Sequence, residues 1–173
     1  AYNRSAIAKS WGESLDKLRK DDPGGYPHLV KIHEGKGHWM DRQDAEAIQW
    51  MHQNTRNRFP KKIVWKQDDV VEPRFYWLST DPILIRDRPL VVAKTVGNEV
   101  VIEQSELKQL NILVKDDLLD MNSPVTVRMG DREIVKANAP RTIAVMDKTL
   151  SERGDPKGVF WGMLNIELPD AKK

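Results

Sequence analysis

Cysteine is absent from the 173-residue chain. Disulfides, thiolate metal sites and a cysteine nucleophile are therefore excluded, and the redox compartment stays open. Long apolar runs are missing as well. Nowhere do about 18 consecutive apolar residues occur, so no membrane-spanning helix and no membrane partner is expected. Charge of one sign is scarce, with 28 Lys+Arg against 26 Asp+Glu and a net of +2. Binding of nucleic acid by bulk charge needs basic residues in excess, so no nucleic-acid partner is expected. Internal repeats of about 20–50 residues and low-complexity stretches are lacking too. The opening AYNRSAIAKSWGES has neither an apolar h-region nor a small-residue cleavage site, and it lacks an initiating Met. No secretory signal is expected there, and the chain is expected to be a processed or excised piece. What the sequence does have is material for a core. At 39% hydrophobic residues it is too apolar for a disordered chain, and its length suits one domain or two small ones.

The charge is unevenly laid out. Residues 1–67 hold 13 Lys+Arg against 8 Asp+Glu, and 68–173 hold 15 against 18. All four histidines and four of the six tryptophans fall in the first stretch. The polar segment Gln67–Pro73 is the expected boundary, giving domains at 1–67 and 68–173. In the first, Ile7, Trp11, Leu15 and Leu18 recur at spacings of four, four and three, the stripe of an amphipathic helix over Ala6–Lys20. Asp21-Asp22-Pro23-Gly24-Gly25 stops it. His28–Glu34, with Leu29, Val30 and Ile32, reads as a short strand. Gly35-Lys36-Gly37-His38 reads as a loop, and Asp41 as the N-cap of a helix running to about Thr55 with Ala45, Ile48 and Met51 or His52 inward.

The second stretch is mostly β. Lys62–Lys66, just ahead of the boundary, then Arg74–Ser79, Leu90–Lys94, Glu99–Glu103, Asn111–Val114, Val125–Met129, Arg132–Lys136 and Phe160–Leu168 are the expected strands. Gly97-Asn98, Asn122-Ser123-Pro124 and Gly130-Asp131 mark turns between them. One helix interrupts this pattern, Thr142 to about Glu152, with Ile143, Met146 and Leu150 inward and Gly154 as C-cap. Trp77, Phe75 and Trp161 are the expected aromatic core. Short strands at regular intervals with turns between them predict a sandwich-like unit of roughly seven strands.

Three features bear on chemistry. His28, His33 and His38 lie five residues apart, which invites a metal site. Two strand residues an odd number apart face opposite ways, however, and HExxH and EF-hand patterns are absent, so no metal or other cofactor is expected. Arg56-Asn57-Arg58-Phe59-Pro60-Lys61-Lys62, followed by Trp65 and Lys66, combines basic and aromatic residues as a nucleic-acid groove does. The alternative is a linker whose Phe59 and Trp65 anchor it to the core, and nothing else in the chain extends the basic patch. His38 sits on a glycine-flanked loop between a strand and a helix, where an imidazole can reach a nucleophile without being sealed in the core.

The stretch GGYPHLVKIHEGKGHWMDRQDAEAIQWM, followed by RNRFPKKIVWKQDD and RFYWL, resembles the end of an α/β-hydrolase-fold serine esterase of the bacterial polyhydroxybutyrate-depolymerase-like and prolyl-oligopeptidase-like kinds. In that fold the triad runs Ser, Asp, His, with the histidine on the loop after the last strand. The resemblance implies that His38, in HEGKGHW, is that histidine, that the helix from Asp41 closes the hydrolase core, and that about 81–169 is the β-rich extension of such enzymes. The nucleophile elbow GxSxG is missing, and none of the chain's serines has the flanking glycines. Asp16, Asp21 and Asp22 come too late to be the triad carboxylate, and the oxyanion-hole loop is absent.

The expected fold is α+β: a helix–strand–helix remnant of an α/β-hydrolase core followed by a β-sandwich-like domain with one helix. The expected function is that of the C-terminal fragment of a serine esterase, carrying the triad histidine without a nucleophile and inactive alone. An ester would be the substrate of the full-length protein, for which an extracytoplasmic location is compatible. A homodimer is the expected state of the fragment. The rival is a non-catalytic binding module for a carbohydrate or a protein partner.

Overall fold

The computed structural model describes residues 3–169, which divide between Arg56 and Asn57 into two compact units. The first is helical. Helix α1 (Arg4–Asp21) is capped by Asn3, whose Oδ1 accepts the Ala6 N–H at 3.1 Å, and it ends on Arg19 and Lys20 at the negative pole of its dipole. Its buried residue is Gly12, where an added Cβ would lie 3.2 Å from the Val30 side chain.

Two expectations for this unit are corrected. His28–Glu34 forms no strand, because a strand needs a neighbour for its backbone groups and the described part of this unit offers none. The second helix starts later than expected. Asp41 and Arg42 adopt left-handed angles (φ 50° and 63°) within a 3-10 segment, Met40–Ala45, and helix α2 covers only Glu46–His52. Asp41 does not cap it; its carboxylate is taken by Lys36 at 2.8 Å.

The second unit carries nine strands among the described residues: β1 (Lys62–Lys66), β2 (Arg74–Phe75), β3 (Leu78–Ser79), β4 (Leu90–Val96), β5 (Glu99–Ser105), β6 (Gln109–Val114), β7 (Val125–Met129), β8 (Arg132–Ala137) and β9 (Gly162–Glu167). The boundary moves with β1. Lys62–Lys66 pairs antiparallel with β4, and its Ile63 and Trp65 enter the core, so it belongs to the second unit and not to the first. One sheet has the order β1-β4-β5-β7-β8, the other β2-β3-β6-β9. Hairpins turn at Gly97 and Gly130, both at the positive φ that glycine adopts without penalty. Between β5 and β7 the chain crosses to the other sheet to form β6, and that excursion makes β5 and β7 parallel neighbours.

Both sheets feed one hydrophobic cluster. Val91, Ala93, Val100, Ile102, Val125 and Val127 come from one, and Leu78, Leu110, Ile112, Val114, Leu164 and Ile166 from the other. Alternation along each strand is what puts them there. The α+β class expected from the sequence is thus the class of the chain, with helices and two separate sheets. The expected strand Arg74–Ser79 is in fact a tight hairpin: Tyr76, at φ 54°, and Trp77 form its turn, with Arg74 opposite Ser79 and Phe75 opposite Leu78. Trp77 is fully buried and its indole N–H donates to the Pro60 carbonyl at 2.7 Å, whereas Phe75 and Trp161 are half-buried at the core's margin. Phe160 is a further buried aromatic.

Helix α3 (Ile143–Arg153) has the expected Gly154 C-cap in the left-handed region, but a different inward face. Ile143 is 84% exposed and Leu150 is exposed too, while Thr149 is buried and Val145 packs on the core. Polar anchors set this rotation. Thr149 Oγ1 accepts the Phe160 N–H at 3.0 Å, and the buried Arg74 guanidinium reaches Glu152 at 2.7 Å and the Thr149 carbonyl at 3.4 Å. The same guanidinium donates to the Gly158 carbonyl and lies over the Phe160 ring, 5.1 Å from its centroid.

Two outcomes follow for stability. Gly162 is buried where an added Cβ would stand 2.7 Å from the Pro140 carbonyl oxygen, a backbone atom with little freedom to retreat. Gly162→Ala should therefore destabilise the second unit by about 1–3 kcal/mol, read from the urea midpoint. Among the described residues four carboxyls are held below the usual carboxylate range: Glu103 by hydrogen bonds from Lys62 and then Lys94, Asp116 by Arg141, Asp120 by the Ser123 hydroxyl, and Asp155 by Arg58. The unfolded chain takes up these protons at higher pH than the fold does. Their contribution is complete above the ordinary carboxylate range and disappears as pH falls through the lowered values. The melting temperature should drop between about pH 5 and about pH 2, and Arg141→Gln should flatten part of that drop.

Candidate functional site

The loop that bears His38 is built from local contacts. Gly35 takes φ 67°, the Met40 N–H donates to the Gly37 carbonyl at 3.0 Å, and the Arg42 N–H donates to the Trp39 carbonyl at 3.1 Å. Met40, Asp41 and Arg42 all have positive φ, a run of three non-glycine residues in a region that costs each of them energy. His38 and Trp39 occupy the turn ahead of this run, and their rings meet edge to face at 5.1 Å. His38 is exposed and Trp39 is 83% exposed. Among the described residues no group hydrogen-bonds to the His38 imidazole, so neither a carboxylate orients it nor a hydroxyl waits on it.

The other histidines are engaged separately. His28 is half-buried, with Nδ1 2.8 Å from the Tyr26 carbonyl and Nε2 3.3 Å from the Asp16 carboxylate. His33 Nδ1 lies 3.4 Å from Gln43 Oε1. No cluster of three or more His, Asp or Glu side chains with metal-holding geometry occurs among the described residues. His28 with Asp16 is a histidine–carboxylate pair, yet both ring nitrogens are occupied and none is left to face a nucleophile.

The basic segment is tied down within the second unit. Arg58 pairs with Asp155 at 2.9 Å, Lys62 with Glu103 at 2.8 Å, and Phe59 meets Phe160 edge to face at 5.5 Å. This is the anchored arrangement weighed for the segment, with Phe59 packed on the core and Trp65 inside it.

A second polar cluster lies in the other unit, on the four-stranded sheet. Register aligns Arg74, Ser79, Asn111 and Asn165 in one row across β2, β3, β6 and β9, and residues directly opposite one another share a sheet face. Beside this row lies a pocket of about 390 Å3 bounded by Arg74, Ser79, Asp81 and Asn111 and, from α3, by Lys148 and Glu152. The only trace of it in the sequence is the alternation Gln109-Leu110-Asn111-Ile112, which puts amides on the face away from the core. Comparison of the chain with models of known protein families, with curated proteins and with solved structures finds no match.

Proposed function

We propose that the chain is the C-terminal part of an α/β-hydrolase-fold serine esterase in which His38 is the triad base. The observation that carries this reading is the state of that imidazole: exposed, hydrogen-bonded to no described group, on a turn preceded by two glycines and followed by a helix. A general base needs such a placement, with a ring nitrogen free for the nucleophile. A second observation supports it. Several apolar residues of the first unit stand in water, with Trp11 64% and Ile48 65% exposed, and Ile7 and Met51 more than half exposed. In a complete hydrolase core such helix faces cover a sheet.

In the full enzyme the serine hydroxyl attacks the ester carbonyl while His38 takes the hydroxyl proton. His38 then gives that proton to the departing alkoxide. In the second half-reaction it takes a proton from water, whose oxygen attacks the acyl-serine carbonyl, and returns it to the serine oxygen as the acid leaves. A carboxylate on the other ring nitrogen fixes the tautomer. No cofactor enters this chemistry, and the second unit is an accessory domain to it.

Two outcomes test this. The 173-residue chain should not hydrolyse short p-nitrophenyl esters above the buffer rate, whereas in a longer polypeptide carrying the upstream core His38→Ala should lower kcat by about 10⁴-fold or more with little change in KM. Turnover by the chain alone that His38→Ala abolishes would sink the fragment reading. The uncovered faces should also make the isolated chain associate, most simply as a two-fold dimer. Sedimentation at micromolar concentration should give a mass above 19.9 kDa that falls on Trp11→Ser with Ile48→Ser, and a monomer throughout would show that the exposed faces need no partner.

A further inference from the structure

The polar pocket of the second unit is built in a way that the esterase reading does not use. Ser79 is only 7% exposed, yet its hydroxyl makes no hydrogen bond with any described group. The same holds for the side-chain amide of Asn111, directly opposite it in the register. That hydroxyl is not sealed from solvent: it opens on the space beside it and is free to bond what enters there. That space is the pocket, an open depression of about 390 Å3 with polar and apolar wall in similar measure.

Charge narrows the ligand. Arg74 points its guanidinium at Glu152, 2.7 Å away, so it has no charge to spare for an anion. Lys148 adds one positive charge to the wall and Asp81 one negative, which leaves the lining balanced. Asp81 already accepts the Ile83 N–H with one oxygen at 3.0 Å, and its second oxygen remains an acceptor. Position narrows it further. The row lies on the face of the four-stranded sheet, between β2 and β9, so an added peptide strand would find no free backbone ladder there. What remains on offer is hydroxyl, amide, ammonium and carboxylate groups side by side, donors interleaved with acceptors. Adjacent hydroxyls of a sugar ring each donate once and accept twice, and they match that set.

We propose that this pocket binds a neutral saccharide unit, with Ser79 and Asn111 at its floor and Lys148 and Asp81 at its rim. The row continues past Asn111 to the exposed Asn165, which gives a chain of sugars a second contact. The site lies wholly within the second unit and stands or falls independently of His38.

The test is an NMR titration of the ¹⁵N-labelled 173-residue chain with methyl β-D-glucopyranoside, cellobiose and xylobiose, and with galacturonate and inorganic phosphate as the charged probes. At least one neutral sugar should give saturable shifts centred on the amides of Ser79, Asn111 and Lys148. Asn111→Ala should weaken that binding about five- to ten-fold, and so should Lys148→Ala, a change on the exposed face of α3 that leaves the sheet untouched. Lys136→Ala, outside the pocket, should leave it unchanged. Equal melting temperatures for the variants separate lost binding from lost folding. Absence of saturable shifts with every neutral sugar, tighter binding of phosphate or galacturonate than of the neutral sugars, or unaltered binding in both pocket variants would each overturn the proposal.

Discussion

Every backbone N–H and C=O taken from water must find a partner, and the two units meet that demand in different ways. In the second, nine short strands pair in two sheets, and the excursion through β6 lets β5 and β7 lie side by side. In the first, the apolar segment around Leu29 and Val30 has strand composition but no strand to pair with among the described residues, so it stays irregular. Composition makes a strand eligible, but pairing makes it real. A separate demand, that of side-chain packing, governs the apolar surface this unit exposes. Helix α1 has a regular stripe, but a stripe needs a sheet or a second helix opposite before it can leave water.

Within the second unit one side chain ties together pieces that the ladders do not. Arg74 connects the β2–β3 hairpin to α3 through Glu152 and Thr149, and to the turn before β9 through Gly158. Arg153 answers from the helix by donating to the Arg74 carbonyl. A charge this buried survives only when its donors are spent on good acceptors, and here they are, with the Phe160 ring covering the planar face. The result is orientation more than net stability. The helix is held with Thr149 inward although Ile143 and Leu150, the larger apolar residues, are left in water.

That reversal marks the limit of what the sequence made legible. Strand positions in the second unit could be read because alternation and Gly-Asn or Gly-Asp turns are local signals, and Val125–Met129 falls where it was expected. The α3 face could not, because apolar periodicity counts only hydrophobic residues and the deciding contacts are polar and distant, 75 residues apart for Arg74 and Thr149. The Arg74–Ser79 hairpin was hidden for another reason. Aromatic residues favour strands, and nothing in Tyr76 announces a left-handed φ. The expected strand at His28–Glu34 failed because pairing partners are not written in the segment itself. The loop around His38 was legible through its glycines, whereas the strained run from Met40 to Arg42 was not.

The contrast between the two sites extends the same logic. His38 owes its proposed role to a vacancy around the imidazole: a triad base works only when a carboxylate holds one nitrogen and a hydroxyl meets the other, and no described residue supplies either. A base without those partners is an ordinary exposed histidine, so on the proposed reading its chemistry belongs to the assembled enzyme and not to this loop. The Ser79–Asn111 pocket differs because its groups are set by sheet register, which this chain completes by itself. Rigid strands hold the hydroxyl and the amide opposite one another whether or not anything is bound, and that preorganisation lowers the cost of binding. A site whose frame lies wholly within one folded unit keeps its geometry when the rest of the protein is removed, and a site assembled from distant parts of the chain does not.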